Sequence, residues 1–283
     1  MTNLAPKVCV IGWPISHSRS PLIHGYWLKE HNLTGSYERQ PVEPKNLAAF
    51  FGDLRNGAFT GCNVTLPHKQ TTLAFIQHPD SRVSRIGALN TVWTEAEELH
   101  ATSTDGPGFL ANLRSAQSDL ILQNSTVIIL GAGGSSRAII DEMLRQGAPR
   151  VIVFNRTKAR AEELTKLFGP QVQAIDAIDL PRHFSKAQLL INTTSAGIGN
   201  GEKLAVPWQS LNQNAVVSDL SYVPLVTPFL QDAKARGYRI VTGLGMLLHQ
   251  AVFGFEKWFG VRPAVTPELY TLVAQDIDPD YRP

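Results

Sequence analysis

The chain has 283 residues, of which 43% are hydrophobic and 18% charged, and its formal net charge is +2. This length predicts two globular domains with a core in each, and the scattered charges argue against a nucleic-acid partner. No run of eighteen apolar residues and no leader-like start occur, so we expect a cytoplasmic protein with no membrane partner.

The first third of the chain alternates between strand-like and helix-like segments. The expected strands cover 7–12, 36–42, 57–65, 87–95 and 98–105, and the expected helices cover 20–32, 44–57, 67–77 and 106–116. The opening βαβαβα order predicts a sheet with helices on its faces. Cys9 and Cys62 both fall inside predicted strands, where buried, reduced thiols are expected.

A second series of strands follows a polar break over 117–125. These strands are short, rich in β-branched residues and in several cases apolar throughout, and they cover 125–130, 150–154, 171–175, 188–192, 214–220 and 238–241. Strands covered on both faces have this composition, so the series predicts a doubly wound parallel sheet of the Rossmann type. Two last helices, over 245–260 and 266–277, precede no strand, and we expect them to return to the first domain. The fold class is α/β.

A glycine turn stands between the strand 125–130 and a predicted helix that ends at Gly147. Gly131 and Gly133 let the backbone turn tightly and approach a pyrophosphate, whose charge the helix N-terminus attracts. The third position of the motif is Ser136, which is small enough for close helix packing. Because the motif lies between a strand, a helix and the next strand, it predicts dinucleotide binding.

The end of the next strand distinguishes between the two nicotinamide cofactors. An NAD site places Asp or Glu there for the ribose hydroxyls, whereas this strand ends in Asn155, Arg156 and Thr157. An amide, a guanidinium fork and a hydroxyl suit a 2′-phosphate. We therefore predict NADP(H), the alternative being that Arg156 is an ordinary surface arginine.

Pro67 and the residues after it predict a helix whose first turn contains Lys69. Proline fits the first helical position, and apolar or branched residues follow at helical spacing. A lysine in a first turn is disfavoured by roughly 0.3–1 kcal/mol, because the peptide dipoles leave a partial positive charge there. Lys69 is therefore predicted to have a functional role, against the alternative of a surface lysine whose stem packs along the protein.

Polar side chains gather where the predicted strands of the first domain end, which is where α/β sheets bind ligands. They are Ser16, Ser18, Ser20, Asn63, Thr65, Lys69, Asn90, Thr104 and Asp105. Neutral donors at a helix N-terminus suit a small carboxylate. Ser20, however, can also simply cap the helix that Pro21 opens, and Asn63 and Asn90 taken alone are equally compatible with turns.

Eight motifs occur in the order and at about the spacing found in shikimate dehydrogenases, and the chain resembles this family from Gly12 to Gly260. The motifs are SHSRSPLIH, GCNVTLPHK, GALNTV, STDGPGF, GAGGSSRA, NRT, INTTSAG and GLGMLLHQAVFGFEKWFG. The resemblance implies an NADP-dependent oxidoreductase acting on a CH–OH group. NADPH would reduce 3-dehydroshikimate to shikimate, on the pathway to chorismate and the aromatic amino acids. A substrate-binding domain over 1–105 and 244–283 and an NADP-binding domain over 106–243 are also implied.

The resemblance further implies roles for individual residues. Lys69 and Asp105 would be the catalytic pair, and Ser18 and Ser20 would bind the substrate carboxylate. The residues around the ring hydroxyls and the carbonyl would be Asn63, Thr65, Asn90, Asp105, Tyr222 and Gln250. NADP(H) would be held by Gly131, Ala132, Gly133, Gly134, Ser135, Asn155, Arg156 and Thr157. Residues from Thr193, Thr194 and Ser195 to Gly197, together with Gly243, would lie near the nicotinamide half.

Two alternatives remain open from the sequence. A broader enzyme of the same superfamily would also oxidise quinate, often with NAD. A catalytically silent NADP sensor on the same scaffold would instead regulate a partner protein, although the presence of both Lys69 and Asp105 weighs against it. No metal site is predicted, and the oligomeric state is expected to be a monomer or a homodimer.

Overall fold

The computed structural model describes residues 5–196 and 204–283, which divide into two compact units. The first unit runs to Asp105 and resumes over Leu247–Val273, with Pro283. The second comprises Gly106–Met246 and Ala274–Arg282. The sequence predicts residues 244–283 in the first domain, whereas residues 244–246 and 274–282 group with the second unit here. In the described part of the chain, no helix is both long enough and apolar enough to span a bilayer.

The first unit is built on a mixed six-stranded sheet of order β2-β1-β3-β5-β6-β4. Its strands are β1 (Lys7–Gly12), β2 (Ser36–Pro41), β3 (Gly61–Val64), β4 (His78–Pro79), β5 (Thr91–Glu95) and β6 (Glu98–Thr102). Its helices are α1 (Ser20–Glu30), α2 (Leu47–Arg55) and α3 (Ser81–Ile86), and Asp105 begins α4 (Asp105–Ala116). Strand β1 is parallel to β2 and β3, so the loops after all three strands leave from the same edge.

The two cysteines lie side by side on β1 and β3, where Cys9 and Cys62 are paired in register. Both are fully buried in the apolar core of the first unit. Burial raises the pKa of each thiol well above its ordinary value. They therefore pack as small apolar side chains, as predicted.

Residues 67–77 do not form the predicted α-helix with Lys69 in its first turn. A short 3₁₀ helix covers Thr71–Phe75, and Lys69 lies in the turn before it. The carbonyl oxygen of Lys69 accepts a hydrogen bond of 2.9 Å from the backbone N–H of Leu89, a long-range contact that an α-helix here would not make. The prediction that a helix dipole acts on Lys69 is therefore wrong. It is Asp105 that stands in a first helical turn, where a carboxylate is favoured.

The second unit is a doubly wound parallel sheet of order β12-β11-β10-β7-β8-β9, and the predicted α/β fold is confirmed. Its strands are β7 (Thr126–Leu130), β8 (Arg150–Phe154), β9 (Val172–Ile175), β10 (Ala187–Asn192), β11 (Val216–Asp219) and β12 (Arg239–Val241). The helices α5 (Gly134–Arg145), α6 (Lys158–Phe168), α7 (Leu180–Phe184) and α8 (Pro228–Lys234) connect them, and α9 (Leu244–Phe259) and α10 (Pro267–Ile277) follow. The order reverses between β7 and β10, which is where such sheets bind nucleotides.

Helix α1 buries a histidine inside an aromatic cluster of the first unit. The His24 ring stacks on Tyr37 with centroids 3.9 Å apart and also contacts Trp27, Phe255 and Trp258. Neither ring nitrogen has a hydrogen-bond partner among the described residues. Burial lowers the pKa of His24 from 6.5 to about 3, so the ring stays neutral at physiological pH.

This lowered pKa makes folding stability depend on pH. Between pH 6.5 and 3 the unfolded chain binds a proton at His24 that the folded chain rejects, so stability falls as pH falls through this range. The loss from this group between pH 7.5 and pH 5 should be about 2 kcal/mol. Guanidinium unfolding of the wild type and of His24→Phe at both pH values should show a smaller pH dependence in the variant. An equal dependence in the two proteins would contradict the assignment.

Candidate active site

Lys69 and Asp105 form a buried ion pair in the first unit. The Lys69 ammonium donates to Oδ2 of Asp105, and the two side chains are 12% and 7% exposed. Lys69 comes from the turn after β3, and Asp105 from the first turn of α4. A partly buried ammonium held against a carboxylate can donate a proton to a neighbouring oxygen and take it back.

Asn90 connects this pair to the residues around it. Its Nδ2 donates to Oδ1 of Asp105, to Oε1 of Gln250 and to Oγ1 of Thr104, at 3.0, 3.0 and 2.8 Å. Its Oδ1 accepts from the backbone N–H of Thr104 at 2.8 Å. The structure therefore brings together Lys69, Asp105, Asn90 and Gln250, four of the predicted site residues.

Asn63 lies on β3, where it pairs in register with Thr91, the residue after Asn90. Its Nδ2 donates to the carbonyl oxygen of Asn90 at 3.0 Å and to Oγ1 of Thr91 at 3.2 Å, and its Oδ1 accepts from the Tyr37 hydroxyl at 2.5 Å. Both amide hydrogens are thus used within the protein. In this arrangement Asn63 can accept a hydrogen bond from a substrate but cannot donate one.

Ser18 lies in the loop between β1 and α1 and Ser20 begins α1, and both residues are buried. The backbone N–H of Ser20 donates to Oγ of Ser18 at 3.3 Å, and Arg39 donates from Nε to the Ser18 carbonyl at 2.8 Å. Ser20 is the first residue of α1 and not the residue before the helix, so it does not occupy the expected capping position. Thr65 also lies beside this loop, since a Cβ on Gly12 would meet its Cγ2 at 2.7 Å.

The glycine turn joins β7 to α5 in the second unit. Gly131 has a φ of +116°, and a Cβ there would clash with Oγ1 of Thr193, so only glycine fits. A Cβ on Gly133 would have no described atom within 4 Å, which leaves the helix start open to a ligand. Ser136 is buried and holds the turn, because its Oγ accepts from the Gly133 N–H at 3.0 Å and bonds Thr193 Oγ1 at 2.7 Å. This geometry fits a pyrophosphate.

A cavity of about 910 Å³ opens beside this turn. One wall is apolar and includes Phe154, Leu180 and Phe184. The polar wall is formed by Gly131, Asn155, Arg156, Thr157, Arg160, Thr194 and Ser195. Two arginines in a cavity of this size, with no acidic residue among the described residues of its lining, fit a nucleotide that carries an extra phosphate. Arg160 was not predicted, although it follows Arg156 by four residues.

Buried polar residues hold the loops after β10 and β11 in place by hydrogen bonds; the first of these loops is predicted to lie near the nicotinamide half of the cofactor. Oδ1 of Asn192 accepts from the Thr194 backbone and hydroxyl at 3.0 and 2.7 Å, while Asp219 accepts from Nδ2 of Asn192 at 3.1 Å and from the Ser221 N–H at 2.9 Å. Burial raises the pKa of Asp219 above its ordinary value. A Cβ on Gly243 would clash with the Leu220 carbonyl oxygen, so this glycine is needed for backbone packing.

Tyr222 follows β11 in the second unit, while the other predicted substrate residues belong to the first unit. Gly197 lies outside the described residues. Over 5–196 and 204–283, no three His, Cys, Asp or Glu side chains come together as a metal site.

Three family models match this chain. They describe the shikimate dehydrogenase substrate binding domain over residues 10–92, shikimate / quinate 5-dehydrogenase over 114–222, and the shikimate 5′-dehydrogenase C-terminal domain over 243–267. The NADP(+) shikimate dehydrogenase of Sinorhizobium fredii (strain NBRC 101917 / NGR234) is 48% identical over 95% of this chain and 94% of that protein. The chain belongs to the shikimate dehydrogenase family.

Other members of the shikimate dehydrogenase family also match nearly the full length of this chain. The NADP(+) shikimate dehydrogenase of Rhizobium etli (strain CIAT 652) is 48% identical over 98% of this chain and 97% of that protein. The shikimate 5-dehydrogenase of Thermus thermophilus, solved in complex with NADP(H) and shikimate, has a TM-score of 0.85 and 34% identity, covering 96% of this chain and 99% of that chain. The resemblance found in the eight motifs is confirmed.

Proposed function

We propose that this chain catalyses the reversible NADPH-dependent reduction of 3-dehydroshikimate to shikimate. The observation that carries the proposal is the buried Lys69–Asp105 pair, which lies in one hydrogen-bond network with Asn90 and Gln250. A ketone reduction needs a proton donor where negative charge develops on oxygen, and Lys69 supplies one. A silent nucleotide sensor would have no need of such a pair.

The residues of the first unit divide the work of the reaction. Bound NADPH supplies the hydride that reaches the ketone carbon. Lys69 donates a proton to the ketone oxygen and regains it during the reverse reaction, while Asp105 and Asn90 hold the ammonium in place. Ser18 and Ser20 bind the substrate carboxylate, and Asn63, Thr65, Asn90 and Gln250 surround the ring. We also assign Tyr222 to substrate binding. We therefore assign the first unit to substrate and the second to NADP(H).

The second unit fits NADP(H) at three positions. The open backbone at Gly133 and the N-terminus of α5 suit the pyrophosphate, with Ala132, Gly134 and Ser135 beside it. Asn155, Arg156 and Thr157 line the cavity where the 2′-phosphate would bind. Thr193, Thr194, Ser195 and Gly243 border the nicotinamide half.

One assay tests the function directly. Purified protein is mixed with NADPH and a panel of cyclic ketoacids that includes 3-dehydroshikimate, and nicotinamide absorbance is followed. Rapid turnover of 3-dehydroshikimate is expected, and no turnover would overturn the proposal. Oxidation rates with shikimate and quinate, each with NADP and with NAD, decide whether the chain is a broader quinate enzyme. We expect preference for shikimate and NADP.

Ser18 should bind substrate and take no part in proton transfer. A hydrogen bond from a hydroxyl to a carboxylate contributes about 1.5–3 kcal/mol, so Ser18→Ala should raise the KM for shikimate about 10- to 150-fold with little change in the KM for NADP. The matched control is Ser125→Ala, because Ser125 is also buried and its hydroxyl donates to the Ile121 carbonyl. The control should lose stability only. The same pattern in Ser18→Ala would mean that this serine has a structural role.

A further inference from the structure

Tyr37 is a buried tyrosine on β2 that no motif of the family resemblance includes. Its ring is held on one face by the stacked His24 ring and also contacts Trp258, so it has little freedom to move. Burial raises the pKa of Tyr37 well above its ordinary value, so the hydroxyl keeps its proton and remains a donor. The hydroxyl donates to Oδ1 of Asn63 at 2.5 Å.

This donor completes the hydrogen bonding of the Asn63 amide. An asparagine amide has one accepting and one donating side, and a donor at Oδ1 turns the two hydrogens of Nδ2 the other way. Those hydrogens meet the Asn90 carbonyl at 3.0 Å and Thr91 Oγ1 at 3.2 Å. Without the Tyr37 hydroxyl, Oδ1 would have no described partner, and the Asn63 side chain would be held on its Nδ2 side alone.

The consequences extend along the proposed substrate site. Through Asn63, Tyr37 supports the backbone of Asn90, whose side chain donates to Asp105 and to Gln250, both at 3.0 Å. Every group along this route is buried or nearly so, which makes each of its hydrogen bonds costly to lose.

We propose that Tyr37 is a positioning residue for substrate binding, which acts by holding Asn63 in place and does not itself touch the reacting atoms. The inference rests on the proposed function, because it takes Asn63 and Asn90 as substrate residues. Loss of the hydroxyl removes the described donor to Oδ1 and leaves the Asn63 side chain more room to move about its Nδ2 contacts, so the site must then be ordered when substrate binds. The free energy needed for this ordering lowers the affinity for substrate.

The test uses Tyr37→Phe, which keeps the ring and removes only the hydroxyl. Steady-state oxidation of shikimate should show a KM for shikimate raised about 5- to 20-fold, a kcat within about threefold of wild type and an unchanged KM for NADP. The matched control is Tyr238→Phe in the second unit, where a buried hydroxyl donates to the carbonyls of Trp208 and Leu211. The control should lower thermal stability and leave the KM for shikimate unchanged.

A double variant tests the route through Asn63. Asn63→Ala alone should raise the KM for shikimate, and adding Tyr37→Phe should raise it less than about twofold further, because the group that Tyr37 orients is gone. Full additivity, or a normal KM in Tyr37→Phe with lowered stability, would overturn the positioning role while the wild type still turns over shikimate. No turnover by the wild type would overturn the proposed function and this role with it.

Discussion

Lys69→Ala should reduce turnover by about 10²–10⁴-fold with little change in NADP affinity, since the substitution removes the group that donates a proton to the ketone oxygen. The structure strengthens this expectation, because the Lys69 ammonium is only partly exposed and donates to Asp105. Turnover is measured by nicotinamide absorbance and NADP affinity by fluorescence titration. Circular dichroism checks that the variant is folded.

Asp105→Asn should also be severe, and the double variant should be scarcely worse than the worse single one. When two residues act as a unit, removing either one already abolishes most of their joint contribution to catalysis, so the effects of the single variants do not add. Asp105 also accepts from Asn90 at 3.0 Å, which means that its loss disturbs the network as well as the ion pair. If the turnover of the double variant were reduced by the product of the two single reductions, the two residues would act separately.

Lys7→Ala is the matched control for Lys69→Ala. Lys7 also forms an ion pair in the first unit, with Glu38 at 3.6 Å, but both side chains are about half exposed. An exposed pair contributes little to stability, so this variant should keep normal turnover. Nearly full activity in Lys69→Ala, with the fold intact, would mean that another group meets the charge on the ketone oxygen.

The arrangement of the two sheets could be predicted because it depends on local patterns. Short apolar runs, a glycine turn and helical spacing each repeat within a few residues, and β7, α5 and β8 follow them closely. The helix predicted over residues 67–77 was wrong because tertiary contacts determine the conformation of this segment. The Lys69 carbonyl, for example, accepts a hydrogen bond from the backbone N–H of Leu89, twenty residues further along the chain. Helix α3 had a local signal that was missed, since Asp80 caps it by accepting from the Val83 N–H at 2.7 Å.

The residues of the candidate site likewise include some that the sequence could predict and some that it could not. Residues in motifs, such as Asn90 and Asp105, could be found because their types and spacing point to polar chemistry at strand ends. Tyr37 and Arg39 could not, because each reads as an ordinary strand residue and acquires its partner only when β2 pairs with β1. Asp219 was missed for a related reason, since its buried carboxylate supports two loops and carries no motif of its own.

Arg156→Ala should weaken NADPH binding by about 1.5–3 kcal/mol, seen as a KM for NADPH raised about 10- to 150-fold. A guanidinium and a phosphate form a charge-assisted contact that NADH has no group to make, so the KM for NADH should hardly change. The position supports this: Arg156 follows the carboxyl end of β8 and lines the 910 Å³ cavity. The ratio of kcat/KM for the two cofactors measures the effect.

Arg150→Ala provides the control for cofactor choice. Arg150 is exposed at the opposite end of β8 and is absent from the cavity lining, so its loss should leave both cofactors unaffected. This comparison separates a contact with the 2′-phosphate from a general change in surface charge, which would act on both arginines alike. An NADPH/NADH preference that stays the same in Arg156→Ala would show that the 2′-phosphate is bound elsewhere, and Arg160, on the same wall, would be the next residue to replace.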